Sequence, residues 1–335
     1  APDARRIDFS DDWCFLLGDE PAASARIYDD SAWRKLNLPH DWAIEGDFSP
    51  NNPSGTGGGA LPGGVGWYRK TFTPTAADSD KKLYIDFDGA YMNATVYING
   101  HELGTRPYGY ISFSYDLTPY IEWGKPNVVA VRVDNAEQPN SRWYSGCGIY
   151  RHVWLRKLDP VHVAQWGTYV TTPHVTAQEA TFSVQTNVEN TTDEAQTITL
   201  KTSLIDADGR VVAVAEPASL TLDAHAITAT TQSLTLANPR LWSVHAPYLY
   251  RACTELIASD GRLLDTYTTT TGARFFRFDA EEGFSLNGQP MKINGVCMHH
   301  DLGCLGAAIN VRALQRQLEI LKEMGCNGIR CSHNP

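Results

Sequence analysis

The sequence predicts a mainly β protein that runs from a jelly-roll β-sandwich through an immunoglobulin-like β-sandwich into the first βαβ unit of a (β/α)8 barrel. Three observations predict it. Short β-branched and aromatic runs broken by turn residues fill residues 5–158, alternating Thr, Val and Ala replace them from about 159 to 273, and a strand–helix–strand pattern begins after Phe278. At roughly 100–200 residues per domain, 335 residues are too many for one compact unit. The expected domains are 1–158, 159–273 and 274–335.

In the first region, residues 82–87 and 94–98 read as strands, and Asn99-Gly100 after them reads as a hairpin turn. Residues 127–133 and 152–155 repeat the habit, with no helical apolar period between them. Between Gly55 and Gly66, seven of twelve residues are Gly. The spacing is not that of a phosphate cradle and no helix follows, so a mobile surface loop is expected there rather than a dinucleotide site. In the second region the alternation of residues 181–188 marks half-buried antiparallel strands, and Asp208-Gly209 and Asp260-Gly261 signal hairpins. A seven-strand sandwich suits that length.

After Phe278, residues 284–286, the Asn287-Gly288 turn and residues 291–293 read as a hairpin leading into a strand over 294–301. Asn310 is placed to cap a helix whose Val311, Leu314, Leu318 and Leu321 form one apolar stripe, and Gly325 is placed to end it. Residues 326–332 then read as a second strand. Strand, helix and strand with polar tips is how a parallel α/β barrel opens, although a whole barrel needs ~250 residues. The apolar stripe is therefore expected to lack cover within these residues.

Composition excludes several classes. Lys and Arg number 28 against 38 Asp and Glu, a net charge of −10 that repels nucleic acid and anionic membranes. No run approaches the ~20 apolar residues that span a bilayer, so no membrane partner is expected. Seven cysteines in no Cys-x-x-Cys arrangement suggest buried thiols rather than a disulfide framework or a zinc site. Ala1 to Arg6 carry no apolar signal core; a leader already removed would make the chain periplasmic or secreted, and otherwise it is cytoplasmic.

Polar residues gather where the barrel strands end. Alternation puts Cys297, His299 and Asp301 on one strand face and Met298 and His300 on the other. Arg330 at the next strand end offers five fixed donors for a carboxylate or a sugar hydroxyl, and His333 lies just beyond. In the first region, residues 139–146 place Asn140 and Arg142 beside Trp143 and Tyr144 in one loop, a mixture suited to sugar faces and hydroxyls. Each has a plainer structural reading as a salt bridge, turn residue or core aromatic. Asn93 and Asn190 match the glycosylation tripeptide, a pattern that also arises by chance.

Five separated stretches, in order, resemble glycoside hydrolase family 2, and within it the bacterial β-galactosidases. They are residues 39–48 (Pro39-His40-Asp41-Trp42 onward), 66–70, 143–151, 238–250 and 329–335. The resemblance implies a jelly-roll sugar-binding domain, an immunoglobulin-like sandwich and a catalytic barrel. It also implies a retaining mechanism in which one carboxyl group protonates the leaving oxygen and a second attacks the anomeric carbon, ~5–5.5 Å apart. The family's acid/base follows an Asn, and no Asn-Glu dipeptide occurs here. Neither catalytic glutamate is therefore expected in this chain; both are expected beyond Pro335, and the chain as given is expected to be inactive.

What the resemblance carries over is substrate positioning, by His299, Arg330 and His333, more weakly by Asp301, and by Asn140 and Arg142 on the jelly-roll loop. Met298 departs from the pattern, where relatives carry Asn. Some members use Mg²⁺ or Na⁺; no ligand set stands out, and none is assigned. The expected partners are a β-galactoside-containing saccharide and the remainder of the chain's own barrel, with homo-oligomerisation left open. Competing readings are a β-glucuronidase or β-mannosidase of the same family, a non-catalytic carbohydrate-binding module, and an adhesion protein. The polar-tipped segment from 278 to 335 argues against the last two.

Overall fold

A computed structural model describes residues 5–333. The leader reading of residues 1–4, and Asn334-Pro335 of the last family-like stretch, lie outside the described residues. Ten strands build the first sandwich: β1 (Arg6–Asp8), β2 (Trp13–Leu17), β3 (Arg34–Leu36), β4 (Gly64–Phe72), β5 (Lys82–Phe87), β6 (Ala94–Ile98), β7 (His101–Arg106), β8 (Phe113–Asp116), β9 (Asn127–Asn135) and β10 (Val153–Leu158). One sheet has the order β3-β2-β4-β9-β6-β7 and the other β1-β10-β5-β8. Their inner faces meet over Trp13, Tyr68, Ile85, Phe87, Ile98 and Val131, all buried.

The continuous apolar text of β9 has a cause: its outer face is covered as well, Ala130 packing with Trp33, Trp67 and Ala23. Buried Arg69 on β4 is satisfied on that side by Asp30 at 2.8 Å and the carbonyl of Ala25 at 3.0 Å. Across the other sheet, Arg156 grips Asp86 through two bonds of 2.6 and 3.2 Å, both side chains 4% exposed. The Asn99-Gly100 turn forms as expected, with both residues at positive φ.

The glycine-rich stretch differs from the expected free loop. Leu61 is buried, Ser54 Oγ donates to its carbonyl at 2.6 Å, and Ala60 N–H closes onto Gly55 O at 2.7 Å. One apolar residue inside the glycine run was enough to pin it to the core.

Eight strands form the second sandwich: β11 (Val161–Val175), β12 (Glu179–Asn190), β13 (Gln196–Ile205), β14 (Val211–Val214), β15 (Ala218–Leu222), β16 (Ala226–Ala237), β17 (Tyr250–Ala258) and β18 (Leu263–Thr271). One sheet is β11-β12-β16; in the other, β14 and β15 pair with successive parts of β13, which continues to β17 and β18. Two short strands thus share one edge, giving seven strand positions. Strict burial alternation along β12 directs Phe182, Val184 and Val188 into the core. Gly209 and Gly261 take positive φ at the two signalled hairpins. Asn190 is fully buried and its amide donates to Glu194 O and Asp223 O, so it is a structural residue and not an accessible glycosylation site.

A three-stranded antiparallel piece follows, β19 (Phe276–Asp279), β20 (Gly283–Leu286) and β21 (Gln289–Pro290), turning at Asn287-Gly288 and ending one residue short of the expected second strand. Then come β22 (Gly295–Met298), α1 (Val311–Glu323) and β23 (Gly328–Cys331), with β22 and β23 parallel. Gly295 is obligatory, because a Cβ there would lie 2.6 Å from Gly328 O. Asn310 Oδ1 caps α1 by accepting from Ala313 N–H at 2.9 Å, and Gly325 ends it at positive φ. The stripe is uncovered as expected: Val311 and Leu318 are exposed, with Leu314 and Leu321 half-buried.

The chain divides into two compact bodies. Among the described residues, one comprises Arg5 with 158–294 and the other residues 6–157 with 295–333. The barrel-opening segment therefore packs with the first sandwich.

Candidate substrate-facing site

The site is built where the loop after β9 meets the segment after β22. Asn135, buried at the end of β9, donates to Gly146 O at 3.1 Å and accepts from Gln138 at 2.8 Å and Asn140 at 2.6 Å, which folds the loop back on itself. Asn140 Oδ1 in turn accepts from the Tyr91 hydroxyl at 3.0 Å. Burial pushes that phenol up to about 12. Expected as a sugar ligand, Asn140 has its amide committed to holding the loop. Arg142 is exposed on the same loop.

Trp143 is fixed at its indole N–H, which donates to the Tyr110 hydroxyl at 3.0 Å. That hydroxyl lies 3.0 Å from Ser145 Oγ, which is 2.9 Å from Ser141 Oγ. The ring then meets two histidines. Its centroid is 5.1 Å from that of His333 and 6.2 Å from that of His299, and the two imidazoles are 5.3 Å apart. The structure thus brings together His299 and His333, read from two strand ends, and adds Trp143 from the sandwich.

The other expected residues are placed differently. Strand pairing on β22 stops at Met298. His299 turns to Trp143 and His333, and Asp301, expected on the same face, is half-buried. Arg330 is exposed, lies opposite Cys297 in the parallel register and donates to its sulfur at 3.5 Å. Hydrogen bonds from Ser332 and then Arg330 hold the Cys297 thiol below the ordinary range.

His300 goes inward. Its ring packs on Tyr110 and Tyr150, and its Nε2 lies 3.0 Å from the carbonyl of Ser145. A carbonyl only accepts, so Nε2 carries the proton. Burial depresses the His300 pKa, and that of His40, which sits against the Tyr68 hydroxyl at 2.8 Å. A base that is harder to protonate when folded contributes stability that is present above its unfolded value and is lost as pH falls through its folded value. The urea midpoint is therefore expected to fall as pH is lowered below about 6.5. His300→Gln, which keeps a donor for Ser145 O, is expected to flatten that fall; an unchanged pH profile in the variant would place the titration elsewhere.

Sequence reasoning gave no role to Asp41, buried at 2% exposure. Its Oδ1 accepts from Ala43 N–H at 3.0 Å and Cys147 N–H at 2.9 Å; Oδ2 accepts from Ala307 N–H at 2.9 Å and from the Tyr144 hydroxyl. Tyr144 is correspondingly raised far above a normal phenol, first by burial and then by the Asp41 charge. The only available signal was its place in the Pro39-His40-Asp41-Trp42 run.

Beside the cluster lies an open hollow of about 380 Å³ with Tyr110, His299, Leu314 and Ile329 on its walls. A larger one, about 820 Å³, lies on the second sandwich among threonines and aromatics, with Arg274 as its charged group. The first is lined by His299 and His300 and is the better placed for chemistry. Among the described residues no group of three or more His, Cys, Asp or Glu is arranged to hold a metal ion, and no step is assigned to one.

Comparison with known proteins agrees with the three regions in order. Residues 65–173 match the glycosyl hydrolase 2 galactose-binding domain-like model, residues 161–274 the glycosyl hydrolases family 2 model, and residues 280–335 that family's TIM barrel domain. Beta-galactosidase BoGH2A of Bacteroides ovatus is 60% identical over 330 residues, 98% of this chain and 38% of that protein. A putative beta-glucuronidase of Formosa agariphila is 41% identical over 99% of the chain and 31% of its own length. Among solved structures, a family 2 glycosyl hydrolase from Bacteroides cellulosilyticus superposes with a TM-score of 0.95 at 40% identity, over 99% of this chain and 43% of that one. A Bacteroides uniformis beta-glucuronidase gives 0.89 at 34% identity, over 98% and 40% respectively. The chain spans less than half the length of each of these relatives.

Proposed function

Because the chain belongs to glycosyl hydrolase family 2, we propose that it is the N-terminal portion of a retaining glycosidase that removes terminal β-D-galactosyl residues. The observation that carries this reading is the meeting of Trp143 with His299 and His333. An aromatic plate from the sandwich loop faces the apolar side of a sugar ring, and two imidazoles at neighbouring parallel strand ends supply donors or acceptors to its hydroxyls. Arg330 and Arg142, both exposed, reach further hydroxyls, Asp301 accepts from one, and Asn140 shapes the loop. The acid and nucleophile come from later strands of the same barrel, at the separation a retaining reaction needs, about 5–5.5 Å.

The galactoside preference is supported by the 60% identity to a β-galactosidase against 41% to a putative beta-glucuronidase. A glucuronidase is the second reading, favoured by the two exposed guanidiniums, since a planar fork suits a carboxylate. Full-length protein assayed on nitrophenyl β-galactoside, β-glucuronide and β-mannoside separates them. The galactoside is expected to lead in kcat/KM by at least about tenfold, a difference worth ~1.4 kcal/mol in transition-state binding. A leading glucuronide would transfer the assignment to the second reading, and no turnover of any would remove both.

A further inference from the structure

We propose that Asp41 is a positioning residue, whose carboxylate clasps the Trp143 loop to the segment that carries His299 and thereby sets the width of the sugar-binding face. It touches neither the plate nor the imidazoles. What it touches is the backbone on both sides of them. Cys147 N–H lies at the end of the aromatic loop, Ala307 N–H lies eight residues beyond His299, and Tyr144 adjoins Trp143 itself; all three donate to this one carboxylate. The fourth donor, Ala43 N–H, ties the carboxylate to its own turn.

The surroundings are shaped for close approach. Gly146 has φ +72°, and a Cβ there would lie 2.6 Å from both Asp41 Oδ2 and the Ala307 methyl. Gly306 has φ +58°, and a Cβ there would lie 2.4 Å from the same oxygen. Two glycines, one on each clasped segment, thus leave room for a single carboxylate between two backbones. Four donors saturate its lone pairs, so a neutral amide would necessarily turn an N–H toward one of them. Ser145 O, bonded by His300 at 3.0 Å, is a second tie between the same two segments, so loss of Asp41 loosens the face without separating it.

The inference rests on the proposed glycosidase reading for its kinetic arm and is independent of it for its spectroscopic arm. In full-length protein, Asp41→Asn is expected to raise KM for an aryl galactoside by about tenfold while kcat changes less than about twofold, the mark of lost binding geometry rather than lost chemistry. Tyr144→Phe, which removes one donor and leaves the carboxylate, is expected to shift KM in the same direction by less. On the 335-residue chain, the emission assigned to Trp143 by difference against Trp143→Phe is quenched by the adjacent imidazoles and should gain intensity in Asp41→Asn. If Asp41→Asn does not fold, Tyr144→Phe alone decides: unchanged emission and unchanged KM overturn the proposal. Equal losses in kcat and KM binding across both variants overturn it as well. If full-length protein turns over no glycoside while the emission still changes, the clasp stands and the glycosidase reading fails.

Discussion

Purified chain spanning residues 1–335 is expected to leave a chromogenic β-galactoside intact, falling at least ~10⁶-fold short of the full-length protein. A retaining reaction needs a proton donor and a nucleophile on opposite sides of one bond. Beside the Trp143 loop, Asp41 has both oxygens engaged, accepting from four donors in all. That carboxylate is not free to attack. On the proposed reading His299, His333 and Trp143 bind and orient, and orientation without an acid and a nucleophile breaks no glycosidic bond. Release of nitrophenol by the isolated chain, scaling with its concentration through a sizing column, would show that the catalytic pair lies within these residues.

The largest stability effect is expected at Asp86. Its partner Arg156 is 4% exposed, bonded to both carboxylate oxygens and to Ser114 Oγ at 3.2 Å, and its guanidinium lies over the Tyr84 ring. Asp86→Ala strands that cation in the sandwich, which costs about 3–5 kcal/mol when one partner of a buried pair is removed. Urea unfolding should show the loss. The double change Asp86→Leu with Arg156→Met removes both charges and should recover most of it. A loss below about 1 kcal/mol in the single variant would mean that the pair behaves as an exposed one.

Those two residues also show where the sequence was legible and where it was not. Turns were legible because their chemistry is local. Asn99-Gly100, Asp208-Gly209 and Asn287-Gly288 all place Gly at positive φ, a demand that few other residues meet. The capped helix and the parallel strands around it were legible for the same reason, Asn310 lying three residues from the amide it caps. The histidines at the strand ends were found by position, as barrel openings predict.

What failed was whatever depended on partners far along the chain. Asp41 bonds residues 103, 106 and 266 positions away, and Arg156 reaches 70 positions back. No local window contains those pairs. Alternation separated His300 from His299 as expected, but it could not name the partners of either, Tyr110 and Tyr150 for one and Trp143 for the other. In the glycine-rich stretch, composition foretold the turns but not the one buried side chain, Leu61, among them.

Arg5 bears on how the molecule can be taken apart. It bonds Val163 O at 2.7 Å, pairs with Asp265 at 3.3 Å and lies over Tyr267, so Arg5 is tied into the body made of residues 158–294. The backbone consequently passes from one body to the other three times, at 5/6, 157/158 and 294/295. No single uninterrupted stretch encodes either body without part of the other. Cloning from residue 159 discards the arginine that pairs with Asp265, and stopping at residue 158 strips the body built on residues 6–157 of its helix and parallel strand pair. Recombinant halves would have to be redesigned as circular permutants or refolded together from separate pieces.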